Sequence, residues 1–460
     1  MISTSRAHDR RSIPREVMST MQKLFGNSSS ARFVSDRKGN RKPRKQRRLR
    51  PLKVILVLVI IVEILYCLAI FSGIPFIVRL RNMYIETAMS TMTHRWLATA
   101  FIPGDIIDEV VSRRNAAADA QIGQNSTWTV ATTPAGETVT TPVATAPAPT
   151  DPEGKERELT PEQEAFFQLF WELDQNSMFA YVDSHPEAVS GGWDKIKINE
   201  AGLDDEGTTI RTVMGEQVLA IDAENQLLLL RVAGSAAPGF SYRGVLAVAK
   251  DPSRLTLCPS KGIGSYGQHA GSIAEANNGL LAMTGSGFID EDGGGNGGAL
   301  AGACMCQGER YGKHFGWMYK RIELHEDNRL YITDAPNSFG EGTTDAVEFW
   351  PALIIDGENA IESDTIFTEM NPRACLGQSR REEILMLVIE GRLISSQGAD
   401  AMECAEILAR HDCYQAMNLD GGTSAIMWYD GEYITRCSNT ALDEGRYLPN
   451  AWIYAAEPVE

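Results

Sequence analysis

Chemistry in this chain concentrates in a few polar clusters set between apolar runs. The densest is Asn418-Leu-Asp420-Gly421-Gly422-Thr423-Ser424, where a carboxylate, an amide and two hydroxyls follow an apolar stretch. A turn needs one glycine, which leaves the rest of the polar group to be explained by function, and strand ends are where rigid scaffolds carry sites. A second cluster is Thr284-Gly285-Ser-Gly-Phe-Ile-Asp290 followed by Gly293-Gly-Gly-Asn-Gly-Gly298. Its glycines let backbone amides approach an anion, but neither a P-loop nor a dinucleotide fingerprint is present. Taken alone it reads better as a flexible surface loop. Arg373 in Asn371-Pro-Arg-Ala-Cys-Leu-Gly377 and Arg392 in Glu390-Gly-Arg392 could hold phosphate or carboxylate, because the guanidinium fork matches both.

The elements that must position these clusters are short. Gln217–Ile221, Gln226–Val232, Gly244–Val248 and Phe349–Ile355 read as strands, and Ile384–Ile389 as a strand buried on both faces. Tyr414–Leu419 and Ser424–Tyr429 read as a hairpin around Asp420. Asp400-Ala-Met-Glu403 opens a helix to about His411, and Thr160-Pro-Glu-Gln163 opens one that ends near Asp174. Mixed strands with few helices predict an α+β body.

Further toward the N-terminus the character changes. Residues 1–50 carry fifteen Lys/Arg against Asp9, Glu16 and Asp36, a balance of +12 in a chain whose total is −17. A basic tail on an acidic body argues against a nucleic-acid partner and for a membrane-linked protein. Val54 to Val78 is apolar apart from Glu63 and a few breakers, long enough to cross a bilayer, and the preceding basic cluster places the N-terminus inside. Residues 82–115 read as juxtamembrane helices. In Thr127–Thr150, eighteen of twenty-four positions are Thr, Pro or Ala, the composition of an extended stalk. The expected organisation is therefore a basic cytoplasmic tail (1–50), a transmembrane helix (51–80), juxtamembrane helices and stalk (81–158), a membrane-proximal part of the extracellular body (159–250) and a catalytic domain (251–460). The cysteines and histidines have no metal-ligand spacing, so neither metal nor cofactor is expected.

The ordered series Asn371-Pro-Arg-Ala-Cys-Leu-Gly377, Ile384–Arg392, Gly398 and Asn418-Leu-Asp-Gly-Gly-Thr-Ser424 resembles the phosphodiester glycosidase family, including its membrane-anchored bacterial members linked to exopolysaccharide. The resemblance implies a mixed-sheet extracellular domain that cleaves a sugar-1-phosphodiester in envelope glycan, with a glycan or sugar phosphate as substrate. It implies Asp420 as the leading carboxylate, with Glu390 or Asp290 as the second. Arg373 and Arg392 would hold phosphate with the amides of Gly421 and Gly422, while Asn418 and Ser424 would bind sugar hydroxyls or orient Asp420. Thr284 and Gly285 occupy the family's glycine loop. Thr284 stands where that pattern has Asn, Glu390 where it has Asp, and Thr423 where it has Gly. These departures leave a second reading open, a catalytically weakened relative that binds glycan or serves envelope assembly.

Overall fold

The computed structural model describes residues 51–90, 95–128, 149–150, 155, 157–203, 205–237, 239–290, 294–316, 319–361 and 367–459. The basic tail 1–50 and most of the Thr/Pro/Ala segment lie outside the described residues. The chain divides into two units, Met1–Val62 and Glu63–Glu460. Of the first, the described part is the opening of one apolar helix.

That helix, α1 (Pro51–Phe71), includes Lys53–Phe71, a stretch long and apolar enough to cross a membrane, though a signal sequence would satisfy the same criteria. Three more helices follow: α2 (Pro75–Ser90), α3 (Trp96–Thr99) and α4 (Gly104–Ala120). Ile70, Ile85, Ala98, Ile102, Ile107 and Val110 form a small core among them.

Among the described residues, the body is built on a nine-stranded sheet flanked by two five-stranded sheets. In spatial order the large sheet runs Lys197–Asn199, Gln217–Asp222, Leu227–Ala237, Phe240–Ala249, Ile384–Ile389, Arg373–Ser379, Cys413–Asn418, Ala352–Ile355 and Glu358–Asn359. Its strands come from both sides of position 250, so the two halves of the extracellular part drawn from sequence share one sheet. Ile384–Ile389 is buried throughout because it sits between two cores. Leu385, Leu387 and Ile389 face the core shared with the helices, whereas Ile384, Met386 and Val388 face the core shared with the smaller sheets.

On the helical side, α5 (Pro161–Leu169) begins with the expected capping box: Gln163 N donates to Thr160 Oγ1 at 3.3 Å and Thr160 N to Gln163 Oε1 at 2.9 Å. It stops at Leu169 rather than near Asp174. Asp174 instead caps α6 (Gln175–Ser184), accepting from Ser177 N at 2.7 Å, so the expected single helix is two. α7 (Ala270–Ala276) packs on a smaller sheet, and α8 (Ala401–Arg410) starts where Asp400 accepts from Glu403 N at 2.9 Å.

The expected hairpin around Asp420 is not formed. Cys413–Asn418 pairs in the large sheet with Arg373–Ser379 and Ala352–Ile355, whereas Met427–Tyr429 pairs with Gly279–Thr284 in a smaller sheet. Residues 419–426 cross between sheets, and this crossing carries the site.

Candidate functional site

Three adjacent antiparallel strands deliver the first wall. Arg373 is opposite Ile389, and Cys375 is opposite Asn418. The residues just beyond these strand ends, 371–372, 390–392 and 419–424, therefore meet at one end of the sheet. Leu419 N donates to Ala374 O at 2.8 Å and Gly422 N to Pro372 O at 3.1 Å, tying the crossing loop down on either side of Asp420. Both glycines are required for different reasons. A Cβ on Gly421 would lie 2.5 Å from Pro372 O, while Gly422 has φ of +62°.

The second wall comes from a smaller sheet. Thr284 lies opposite Ala451, which brings the loop after Thr284 beside the segment before Asn450. Asp290 on that loop ion-pairs with Arg446 Nη1 and accepts from Gly295 N at 2.5 Å, and Arg446 Nη2 donates to Gly295 O at 2.7 Å. The Arg446 guanidinium lies 4.7 Å from the centroid of the Phe288 ring, over its face.

The two carboxylates are pushed in opposite directions. The hydrogen bond from Arg446 holds Asp290 below the usual aspartate range, assisted by the Gly295 amide and the guanidinium charge and opposed by burial. Burial pushes Asp420 up to about 6, with the charge of Asp290 adding to the rise; the Ser424 hydroxyl, Arg446 and the Gly421 amide act against it. Tyr319 senses Asp420 as well, its phenol raised by burial first and then by that charge, so it stays a neutral donor. A carboxyl group raised by burial within the field of one held low is the arrangement that divides acid and base roles.

The structure gives the remaining sequence-derived residues distinct surroundings. Arg392 is exposed beside Gly422, with Nη2 donating to Asn371 Oδ1 at 2.9 Å. Ser424 is buried and bonds Asp420. Arg373 is buried, with Nε on Ala399 O at 3.1 Å, Nη2 on Glu369 O at 2.8 Å and the Glu369 carboxylate at 3.5 Å. Glu390 is buried against Arg243 at 3.2 Å and accepts from Arg436 N at 2.9 Å. Asn418 donates to Trp350 O at 2.8 Å. Thr284 is buried, and its hydroxyl has no hydrogen-bond partner. Gly285 passes so close to Asn450 that a Cβ there would lie 2.3 Å from Asn450 Oδ1, the atom that receives Ser286 N at 2.7 Å.

The site thus gathers Asp420, Asp290, Ser424, the Gly421-Gly422 turn and Arg392. Arg373, Glu390 and Asn418 are engaged with backbone or ion-pair partners instead, and Thr284 lies in the interior with its hydroxyl unpartnered. Arg446, Tyr319 and Asn371 are functional candidates that sequence reasoning did not assign. Arg446 and Tyr319 stand outside any motif; Asn371 was visible only as the first residue of Asn371-Pro-Arg373. Among the described residues, no cluster of His, Cys, Asp and Glu could hold a metal ion.

Residues 277–455 match the phosphodiester glycosidase family profile, and the resemblance read from the motifs is borne out over that segment. The chain is also similar to the SPbeta prophage-derived uncharacterized protein YomE of Bacillus subtilis (strain 168), 26% identical over 109 residues, a match covering 23% of this chain and 17% of that protein. Among solved structures it is similar to the catalytic domain of zebrafish N-acetylglucosamine-1-phosphodiester alpha-N-acetylglucosaminidase auto-inhibited by its pro-peptide. That likeness has a TM-score of 0.41 and 15% identity and covers 50% of this chain and 82% of the other. It is similar too to a hypothetical protein from Synechocystis, with a TM-score of 0.34 and 13% identity, covering 52% of this chain and 67% of the other.

Proposed function

We propose that this chain is a membrane-anchored glycosidase that hydrolyses a sugar-1-phosphodiester of cell-envelope glycan or exopolysaccharide. In this reading α1 spans the membrane, the N-terminus is cytoplasmic and the body is extracellular. The observation that carries the reading is the opposed pair: burial raises Asp420 to about 6, and Asp290, whose charge adds to that rise, is held low by Arg446. In the reaction the bond from the anomeric carbon to the bridging phosphoryl oxygen breaks. Water supplies hydroxyl to that carbon and a proton to the leaving phosphate. Asp420 carries the proton toward the phosphate, and Asp290 as carboxylate stabilises the oxocarbenium-like centre and orients the water. Arg392 receives the phosphoryl oxygens. Ser424 holds Asp420 in place.

The test uses the full chain with a sugar-1-phosphodiester of the UDP-N-acetylglucosamine type, with Asp420→Asn run in parallel. Free sugar released by the parent and not by the variant is the expected result. A folded parent that releases none, across several sugars, overturns the hydrolase. The second reading, glycan binding without turnover, is favoured by Glu390 being locked to Arg243 and predicts binding that survives Asp420→Asn.

A further inference from the structure

The connection between the apolar helix and the site has almost no slack. α2 begins at Pro75, with three residues between it and the end of α1, and Arg81 Nη1 donates to Ile70 O at 2.7 Å. This satisfies a carbonyl in the last turn of α1 and latches α2 to it. The far end of α2 is built into the wall of the site. Glu86 is 1% exposed and accepts from Thr368 N at 2.6 Å and Thr368 Oγ1 at 2.7 Å. Met370 N donates to Thr87 Oγ1 at 3.1 Å, and Asn371 Nδ2 to Ser90 Oγ at 3.3 Å. Asn371 is the residue that receives Arg392.

Chain geometry sets the reach. A three-residue turn spans at most about 3.5 Å per residue, and the 16 residues of α2 rise about 1.5 Å each, so Ser90 lies within roughly 35 Å of Phe71. Bracing shortens this further. Tyr66 Oη, one turn inside the end of α1, donates to Phe101 O at 2.7 Å, and Tyr84 Oη donates to Leu97 O at 3.0 Å. Phe71, Ile74, Phe76, Trp96 and Phe101 are exposed around the same helix end. Aromatic and aliphatic side chains in that position match a membrane interface, and the backbone from Ala98 to Ile102 is satisfied within its own turn.

The Thr/Pro/Ala segment does not set this distance. Residues before it and at its start are already bound to the body: Gln121 Nε2 donates to Ala352 O at 3.0 Å, Ser126 N to Ile332 O at 2.8 Å and Trp128 Nε1 to Leu330 O at 2.9 Å. The tether is residues 72–74.

We infer that the substrate is a lipid-linked sugar-1-phosphodiester, a sugar joined through its anomeric phosphate to a membrane lipid alcohol, rather than a distal linkage of a long polymer. This rests on the proposed hydrolase and on α1 as a span. A site held this close to the bilayer meets phosphodiesters at headgroup level, and hydrolysis there yields free sugar and a lipid monophosphate left in the membrane.

The test reconstitutes the full chain in phosphatidylcholine vesicles with N-acetylglucosaminyl-phospho-polyprenol in the same bilayer. The methyl diester of N-acetylglucosamine-1-phosphate, at matched bulk concentration, is the soluble control. The lipid-linked substrate is expected to turn over at least 10-fold faster. Inserting twenty Gly/Ser residues between Ser72 and Gly73 is expected to remove that advantage and leave the methyl-diester rate unchanged. Equal rates, or turnover of the methyl diester alone, overturn the inference while the hydrolase stands. Turnover of neither overturns both.

Discussion

Asp420 can be tested without a substrate, through the stability of the fold. Its carboxyl group is raised from 3.8 to about 6 in the folded chain, chiefly by burial. A raised carboxyl penalises the folded state once the unfolded group has ionised, so the penalty begins near pH 4 and is complete above about pH 6. The size follows from a shift of about two units at roughly 1.4 kcal/mol each, or about 3 kcal/mol. Asp420→Asn keeps the shape and an acceptor for Ser424 but cannot ionise. It is therefore expected to match the parent below about pH 4.5 and to exceed it by up to about 3 kcal/mol at pH 8. A body of roughly 400 residues unfolds with about 0.8 kcal/mol/K of entropy, so the gain at pH 8 is about 3–4 °C in Tm. Calorimetry of both proteins from pH 4.5 to 8 reads this directly. A difference that does not change with pH, or a variant less stable than the parent at pH 8, would refute the claim that Asp420 is a desolvated carboxyl.

Two further substitutions separate roles that the sequence assigned alike. Arg373→Lys loses the fork on Ala399 O and Glu369 O inside the core and is expected to cost about 2–4 kcal/mol in denaturant unfolding, whereas exposed Arg392→Lys is expected to stay within about 0.5 kcal/mol and to raise KM for the phosphodiester about 10-fold with kcat nearly kept. A reversed pattern would place the phosphate on Arg373. Arg446→Gln removes the partner that holds Asp290 low, so the Asp290 carboxyl rises and the acid limb of the pH–rate profile moves to higher pH; an unmoved limb would exclude Asp290 as the ionised group.

What the sequence made legible was local. Thr160 and Gln163, Asp400 and Glu403, and the apolar run Ile384–Ile389 each specify their element within a few residues, and the structure contains all three. Local signals failed where two local solutions compete. Asp174 is both a plausible end of one helix and a cap for the next, and only the capping bond to Ser177 decides between them. Asp420-Gly421-Gly422 reads as a hairpin turn because glycine is read as turn chemistry. Gly421 in fact answers a contact with Pro372, a residue forty-nine positions earlier, which no local pattern encodes.

The same distinction explains the site. Asp420 was recognisable because its neighbours in sequence are also its neighbours in space. Arg446 was not, since nothing near it in the chain marks an arginine whose partner is Asp290. Arg373 and Arg392 show the converse: similar motif positions, opposite burial. Arg373 lies inside the strand Arg373–Ser379 with its guanidinium on Ala399 O and Glu369 O, while Arg392 lies past the end of its strand at φ of +59°, beyond the sheet's cover. The deepest dependence is longer still. Arg392 rests on Asn371, Asn371 on Ser90, and Ser90 on a helix latched to Ile70. A domain cut at residue 159, where composition suggests order resumes, would keep every motif read from the sequence and lose Glu86, Thr87 and Ser90 from the site's wall. Activity of such a fragment would therefore report on the motifs alone, and a comparison of its KM with that of the full chain measures what α2 adds to the proposed site.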